Sequence, residues 1–214
     1  MRMMFFAIGV ALMLLSTEVS AQNTIDDTEL PRFQQVSERL YRGGQPRAGG
    51  LRRLRELGID TIVNLRGRGN QTKAEEAEAR ELGFSYFNIP LPNWGRPHDD
   101  RVRRILLIIA APQNGRVFVH CKDGVDRTGT IVALYRVEQE GWSSGEALTE
   151  AERMGMRRIQ FWMRDYTDDY GRSDTDLGDR LGVGMRIVEA ETFRARKLLR
   201  RAPSAISKFL GGVF

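Results

Sequence analysis

Apolar residues follow two alternating patterns along this chain. Short, nearly continuous apolar runs predict strands at 39–42, 60–65, 84–89 and 116–120. Between them, apolar positions recur with the spacing of a helix face, which predicts helices at 48–57, 72–82, 99–111, 128–140, 144–154 and 157–166. Strands that alternate with helices predict an α/β fold, with a central, mainly parallel sheet flanked by helices.

Residues that start or stop helices mark several of these boundaries. Gly58 and Gly83 follow the first two predicted helices, and glycine is favoured just past a helix end. Thr72 and Glu75 have the spacing of a capping box, so we expect Thr72 to be the N-cap of the second helix. Pro112 ends the third helix.

The N-terminal residues have the pattern of an export signal. A short, positively charged start precedes an apolar run at 5–15, which is about eleven residues long and too short to span a bilayer. Val19-Ser20-Ala21 fits the usual cleavage pattern, so we expect residues 1–21 to be removed and Gln22 to become the N-terminus. The protein is then exported, to the periplasm or the medium. An uncleaved membrane anchor is the alternative.

Composition divides the rest of the chain into four segments. We expect residues 22–32 to be a flexible polar segment and 33–166 to form one folded domain. Residues 167–179 are predicted to be an acidic linker, and 180–214 a basic, helical C-terminal extension. The basic residues of 180–201 allow two interpretations: a helix packed on or near the domain, or a helix on an anionic membrane surface.

Charge and cysteine content limit the function further. The net charge of +5 favours anionic partners, and no nucleic-acid motif is present, so nucleic acid is not an expected partner. One cysteine and two histidines are too few to build a structural zinc site, and no metal site is predicted. Exported proteins often use cysteines in pairs, but Cys121 has no second cysteine in the chain. We therefore expect Cys121 to be kept for its chemistry.

The sequence around Cys121 predicts an anion-binding loop. It reads His120-Cys121-Lys122-Asp123-Gly124-Val125-Asp126-Arg127-Thr128-Gly129, between an apolar strand and a predicted helix. A strand, a tight loop and a helix N-terminus direct several backbone N–H groups and the positive end of the helix dipole to one point. A cysteine in this environment ionises readily and acts as a nucleophile.

The spacing within this loop suits a phosphoryl group. The negative charge of a phosphoryl group in transfer lies on three oxygens, which the backbone N–H groups of 122–127 can bind. We expect the phosphate-binding residues to be Lys122, Asp123, Gly124, Val125, Asp126, Arg127 and Thr128. Arg127 can grip two of the oxygens with its planar guanidinium, and Thr128 can donate a hydrogen bond to the sulfur. Gly124 allows a positive φ, and Gly129 allows close helix packing.

Three motifs together resemble a known family. The loop resembles the Cys-x5-Arg-Ser/Thr signature of cysteine-dependent protein tyrosine and dual-specificity phosphatases, most of all the atypical enzymes of bacteria, fungi and plants. Two segments upstream are similar to further elements of that subgroup. They are Leu40-Tyr41-Arg42-Gly43-Gly44-Gln45-Pro46 and Gly58-Ile59-Asp60-Thr61-Ile62-Val63-Asn64-Leu65-Arg66. The resemblance covers roughly residues 33–166 and implies the phosphatase fold.

The resemblance also implies a reaction. Cys121 attacks phosphorus to give a phosphocysteine, which water then hydrolyses, while Arg127 and the loop amides stabilise the charge. No metal ion or cofactor is implied. His120 is expected to hold the loop and to influence the thiolate. The implied substrates are phosphotyrosine, with phosphoserine and phosphothreonine in a shallower pocket, on a phosphorylated protein or as a small phosphomonoester.

The general acid is the least determined residue. Related phosphatases carry an aspartate on a separate loop, and residues 92–100 contain Trp, Pro and Asp in the same order but further apart. Asp99 is our first candidate and Asp100 the second, although either could instead favour the start of the following helix. Asp126 is a third candidate, more suited to orienting Arg127. His98 is the remaining option.

Two other functions remain open. A phosphate-binding or sensor module on the same fold, with weak turnover, would explain the uncertain acid. An inositol or lipid phosphate phosphatase would suit the basic C-terminal segment. The loop carries Val125 where some such relatives have lysine, which weakens the case for polyphosphorylated substrates without excluding them.

Overall fold

The sheet has the predicted mainly parallel architecture. A computed structural model of the protein describes residues 27–172. Within them, five strands lie in the order β1-β2-β5-β3-β4. The strands are β1 (Gln34–Gln35), β2 (Leu40–Gly43), β3 (Thr61–Asn64), β4 (Ser85–Asn88) and β5 (Val117–His120). Only β1 is antiparallel to its neighbour, and this exposed, two-residue edge strand was too short to produce a sequence pattern.

Six α-helices accompany this sheet in the described range. They are α1 (Gly50–Glu56), α2 (Asn70–Glu81), α3 (Asp99–Ala110), α4 (Asp126–Glu140), α5 (Ser144–Arg153) and α6 (Phe161–Arg172). A short 3-10 turn, Pro112–Asn114, follows α3. The α/β fold class is therefore confirmed, with helix ends shifted by a few residues from the predicted ones.

Two of the three apolar clusters among the described residues lie against the sheet, one on each face. Side chains of a strand alternate between the two faces, so Val117 and Val119 of β5 join one cluster and Phe118 joins the other. Helices α3 and α4 pack on the Val119 face, and α1 and α2 pack on the Phe118 face. Because β5 is buried on both sides, its sequence is a continuous apolar run rather than an alternating one.

The central position of β5 determines where its loop lies. Val119 is paired with Arg42 of β2 on one side and with Val63 of β3 on the other. All three strands run in the same direction, so their carboxyl ends meet at one edge of the sheet. In open parallel sheets this edge is where ligands bind.

The last described helix corrects two predictions. We expected a helix at 157–166 followed by an acidic linker from 167, but α6 runs from Phe161 to Arg172. Met163, Tyr166 and Thr167 are buried on its inner side. These buried positions keep the spacing of a helix face beyond residue 166. The prediction placed a linker there because acidic and polar residues are typical of loops.

The segment before the first strand is also better packed than predicted. We expected residues 22–32 to be flexible, but in the described part of that segment Leu30 is buried in the cluster with Leu51 and Leu54. The carbonyl of Pro31 accepts a hydrogen bond of 2.7 Å from the Gly44 N–H. The folded domain therefore includes residues before 33.

Several predictions fall outside the described residues. These are the export signal at 1–21, the first part of the segment 22–32, the linker from 173 and the basic extension at 180–214. Among residues 27–172, no helix is both long and apolar enough to cross a membrane.

Candidate active site

The Cys121 loop connects the central strand to α4. β5 ends at His120, residues 121–125 form the loop, and α4 begins at Asp126. The strand, loop and helix thus follow one another in the predicted order. The loop leaves the sheet at the edge where the parallel strands end.

Cys121 lines a pocket of about 250 Å³. Its side chain is 2% exposed, and its sulfur accepts a hydrogen bond of 3.3 Å from the Gly124 N–H. The pocket is lined by loop residues and by residues from two other segments: Asn93, Trp94, Cys121, Lys122, Asp123, Asp126, Arg127, Arg157, Gln160 and Met163. Cys121 and Arg127, which we predicted from the sequence, therefore line the same cavity.

Gly124 is required by two features of the loop. Its φ is +71°, in the region that side chains rarely adopt. A β-carbon at this position would lie 2.5 Å from the Gly43 carbonyl carbon and from the Gly44 nitrogen. The glycine pair of the upstream motif therefore packs directly against the loop, and Gln45 N–H adds a hydrogen bond of 3.0 Å to the Lys122 carbonyl.

Arg42 supports the loop from within the protein. It is only 3% exposed, and its guanidinium donates a hydrogen bond of 2.9 Å to the Gly124 carbonyl. Burial lowers the pKa of Arg42, while the charges of Glu150 and Cys121 oppose that shift. No role was predicted for Arg42 from the sequence. Its position in a buried strand does indicate one, because a buried arginine needs a hydrogen-bonding partner.

Asp126 is hydrogen-bonded to a different arginine from the one expected. We expected it to orient Arg127, but its carboxylate accepts hydrogen bonds from Arg157, one of 2.9 Å from the backbone N–H and one of 2.8 Å from Nε. Arg127 instead points a guanidinium nitrogen at the Leu65 carbonyl, at 3.5 Å. The Asp126 contact fixes the turn before α6 against the start of α4. The hydrogen bonds to Asp126 and its negative charge raise the pKa of Arg157.

Thr128 does not make the predicted contact with the sulfur. Its hydroxyl is fully buried and has no hydrogen-bond partner among the described residues. The sulfur receives its one hydrogen bond from a backbone group instead. Gly129 packs closely, as predicted: a β-carbon there would lie 3.2 Å from the methyl carbon of Met156.

A buried polar network lies behind the loop, on the face of the sheet covered by α2. His120 Nε2 lies 2.7 Å from a carboxylate oxygen of Glu75, and Nδ1 lies 3.1 Å from the Cys121 carbonyl. Tyr86 and Asn64 also donate to this carboxylate. Both ring nitrogens of His120 thus lie within hydrogen-bond distance of oxygen atoms, which fixes the orientation of the ring behind the Cys121 loop.

Glu75 corrects the predicted capping box. Helix α2 begins at Asn70, the Thr72 hydroxyl donates to the Gly67 carbonyl, and the Glu75 carboxylate is turned into the protein. Burial alone would raise the pKa of Glu75, but the charge of His120 and hydrogen bonds from its partners outweigh burial and lower it. The sequence did contain a signal, since Glu75 shares a helix face with the buried Thr72 and Ala79.

The predicted acid is not in the pocket wall. Asp99 is the first residue of α3, and its carboxylate accepts a hydrogen bond of 2.8 Å from the Tyr166 hydroxyl. Burial, and then this bond, raise the pKa of Tyr166. Asp100 does not line the pocket either, and His98 is the residue before α3. The same segment reaches the pocket through Asn93 and Trp94.

The chain matches a described protein family over most of its length. A family model described as "DSP-PTPase phosphatase fused to NAD+ Kinase" matches residues 16–165. The dual specificity protein phosphatase TpbA of Pseudomonas aeruginosa is 32% identical over 126 residues, which are 56% of this chain and 53% of that protein. The chain thus spans about half the length of the curated relatives it matches.

Solved structures show the same fold. The crystal structure of P. aeruginosa TpbA covers 77% of this chain and 94% of its own, with a TM-score of 0.58 and 24% identity. The match to the core catalytic domain of the PP-IP phosphatase SIW14 from S. cerevisiae, in complex with citrate, covers 73% of this chain and 93% of that domain. Its TM-score is 0.61, with 21% identity. The family model covers well over half of the sequence and agrees with the three motifs. The protein therefore belongs to the DSP-PTPase family, within the cysteine-dependent protein tyrosine and dual-specificity phosphatases.

Proposed function

We propose that the protein is an exported phosphatase that hydrolyses phosphomonoesters through a phosphocysteine intermediate. Its substrates are phosphotyrosine, and phosphoserine or phosphothreonine where the pocket admits them. The observation that carries this proposal is the shared pocket of Cys121 and Arg127 at the end of the central strand. The name of the relative TpbA, a dual specificity protein phosphatase, supports the same class of substrate.

The groups around Cys121 favour a thiolate nucleophile. The Gly124 N–H is directed at the sulfur, and the loop leads into the N-terminus of α4, where the helix dipole is positive. In the first step the sulfur attacks phosphorus, the bond to the leaving oxygen breaks, and that oxygen takes a proton. In the second step water attacks phosphorus, loses a proton, and displaces the sulfur, which releases phosphate. Arg127 and the amides of 122–127 stabilise the equatorial oxygens in both steps.

The rim of the pocket suits an aromatic phosphate ester. Trp94 lines the pocket, is 57% exposed, and meets Trp162 edge to face at 5.8 Å between ring centroids. An exposed aromatic side chain beside a phosphate site can pack against the ring of phosphotyrosine. The exposed ring of Trp94 at the pocket supports phosphotyrosine as the preferred substrate.

A substitution of the nucleophile tests the mechanism. Wild-type protein should hydrolyse an aryl phosphate in the presence of a chelator and be inhibited by vanadate. Cys121→Ser should have no turnover above background, with an unchanged melting temperature showing that it is folded. Equal turnover of Cys121→Ser and wild type would refute the phosphocysteine intermediate.

We propose Asp99 as the acid, which requires the start of α3 to move toward the pocket from its present position. Asp99→Asn should then lower turnover more for esters with poor leaving groups than for those with good ones, because only poor leaving groups need the proton. Asp100→Asn is the matched control, and Asp123→Asn tests the exposed carboxylate that does line the pocket. Wild-type turnover of Asp99→Asn on both kinds of ester would remove Asp99 from the mechanism.

Export is proposed from the sequence of residues 1–21. Cells that express the full chain should yield a secreted or periplasmic protein whose mass corresponds to a start at Gln22. A protein that keeps residues 1–21 and sediments with membranes would instead support the uncleaved anchor.

A further inference from the structure

A second cavity adjoins the candidate active site on the other side of the loop. Its volume is about 300 Å³. It is lined by residues from the N-terminal segment, the β3–α2 connection and the loop itself: Pro31, Arg32, Gln45, Arg47, Arg66, Gln71, Lys122 and Asp123. Lys122 and Asp123 line both cavities, so the two cavities lie on either side of these two residues.

The second cavity is strongly basic. Three arginines and Lys122 contribute four positive charges, and Asp123 contributes one negative charge, which leaves a net charge of +3. None of these four cations forms an ion pair with a carboxylate within residues 27–172. By contrast, Arg136 and Arg157, which do not line this cavity, are each paired with an acid.

Neutral groups position the arginines of this cavity. Arg66 donates to the side-chain oxygen of Gln45 and, at 2.7 Å, to that of Gln71. Arg32 donates to the Asp123 carbonyl at 3.0 Å, and Arg47 is directed at the Thr28 carbonyl at 3.4 Å. Neutral acceptors orient a guanidinium but do not cancel its charge, which stays available to an anion.

The orientation of Arg66 is itself fixed from inside the protein. The amide nitrogen of Gln45 donates to the buried carboxylate of Glu75, so its oxygen is turned toward Arg66. Arg66 is therefore held in place before any ligand arrives. A preorganised guanidinium loses less conformational entropy on binding than a free one.

We propose that the second cavity binds a second phosphoryl group of the substrate while the first phosphoryl group lies over Cys121. This inference rests on the proposed function, because it assigns the substrate class of the same site: a phosphomonoester that carries a further phosphate. Arg32, Arg47 and Arg66 bind that phosphate, and Lys122 lies between the two groups. The second phosphate is not cleaved, because no cysteine lines this cavity.

Matched pairs of substrates test the proposal. One pair is a phosphotyrosine peptide with and without a nearby phosphoserine, and the other is a diol bisphosphate and its monophosphate. Wild type should have a higher kcat/KM for the doubly phosphorylated member of at least one pair. The pair that shows the preference distinguishes a peptide from a small molecule as the source of the second phosphate.

Two variants locate the preference. Arg66→Met should lower kcat/KM for the preferred, doubly phosphorylated substrate roughly ten-fold or more, the size of one lost charged hydrogen bond, and leave the singly phosphorylated one unchanged. Arg47→Met, at an exposed position that leaves the fold intact, should act in the same direction. Arg104→Met, on the exposed side of α3, is the control and should change neither. No preference in either pair, or a preference that survives both variants, would overturn the proposal.

A binding experiment separates this proposal from the proposed function. The doubly phosphorylated peptide and the diol bisphosphate are each titrated calorimetrically into Cys121→Ser protein, and the titrations are repeated in the Arg47→Met and Arg104→Met backgrounds. Weaker binding of either compound only with Arg47→Met supports the subsite even if the wild type hydrolyses no ester. Equal binding of both compounds in all three proteins refutes the subsite even if the wild type is an active phosphatase.

Discussion

The starts of α4 and α5 deal with the same physical problem in opposite ways. The first N–H groups of any helix lack partners inside the helix. At α5, Ser143 accepts a hydrogen bond from the Glu146 N–H, and Glu146 accepts one from the Ser143 N–H, which completes a capping box. At α4, the residue before the helix is Val125, and no side chain caps the helix.

The difference indicates what the open helix start is for. Asp126 lies in the first turn of α4 and could cap it, but its carboxylate is bound by Arg157. The N–H groups at the start of α4 thus stay available to an oxyanion, whereas those of α5 are satisfied for stability alone. Substitutions at the two ends should therefore separate activity from stability.

The largest effect is expected from Gly124→Ala. The new methyl group would meet the backbone of Gly43 and Gly44 and would occupy a positive φ, so the loop must move. We expect a loss of about 3 kcal/mol in the free energy of unfolding and a fall of about 100-fold in kcat/KM. Chemical denaturation and steady-state kinetics measure the two losses.

Gly141→Ala is the matched control for that variant. Gly141 has nearly the same φ, +72°, but a β-carbon there would meet nothing within 4 Å. It should lose only about 1 kcal/mol of stability and no activity. If both glycine variants keep wild-type kcat/KM, the close approach of Gly124 to the upstream motif does not matter for the site.

Asp126→Ala should have the next largest effect on stability. It removes the hydrogen bonds that tie Arg157 to the start of α4, and we expect a loss of about 2 kcal/mol in denaturation experiments. Asp169→Ala is the control, because its pair with Arg96 is half exposed on both sides and should contribute about 0.5 kcal/mol or less. Equal losses in the two variants would mean that Asp126 is an ordinary surface partner.

Ser143→Ala should change stability without changing activity. Loss of the cap on α5 should lower the free energy of unfolding by about 1 kcal/mol, with kcat/KM equal to that of wild type. Thr149→Ala, further along the same helix, is the control and should change stability by less than about 0.5 kcal/mol. A fall in kcat/KM for Ser143→Ala would show that the two helix starts are not independent.

The smallest expected effect is on how the stability contributed by the Ser143 cap changes with pH. Hydrogen bonds from Ser143 lower the pKa of Glu146 in the folded protein. A lowered pKa stabilises the fold above the pKa of the unfolded chain, and this contribution is lost as the pH falls through the folded value. The difference in stability between wild type and Ser143→Ala should therefore shrink below about pH 4. A difference that is constant from pH 7 to pH 3 would contradict this.

The parts of the site that the sequence predicted are local in the chain. Cys121, Gly124 and Arg127 lie within one strand, loop and helix, where the periodicity determines the backbone and the spacing determines the chemistry. The family resemblance rested on the same residues. These predictions needed no knowledge of how distant segments pack.

The parts that were missed depend on distant contacts. Glu75 had the spacing of a cap, but tertiary packing turned its carboxylate toward His120. Asp126 was assigned to its sequence neighbour, whereas the partner it has comes from the turn before α6. No local pattern distinguishes these partners, because each side chain has a locally plausible alternative. Asp99 was chosen by analogy with a loop whose spacing differs here, and its hydrogen bond to Tyr166 could not be read from the chain.

The central place of β5 has a consequence for the order in which the site can be assembled. Its two neighbours, β2 and β3, and the Gly43–Gly44 contact surface all precede it in the chain. A growing chain leaves the ribosome from its N-terminus, so every strand that will border the reactive thiol is synthesised before Cys121. The β5 strand can then be added between existing edges. Burial of Cys121 also needs Ile131, Leu134 and Tyr166, which follow it in the chain, so the thiol is enclosed only after α4 and α6 have packed.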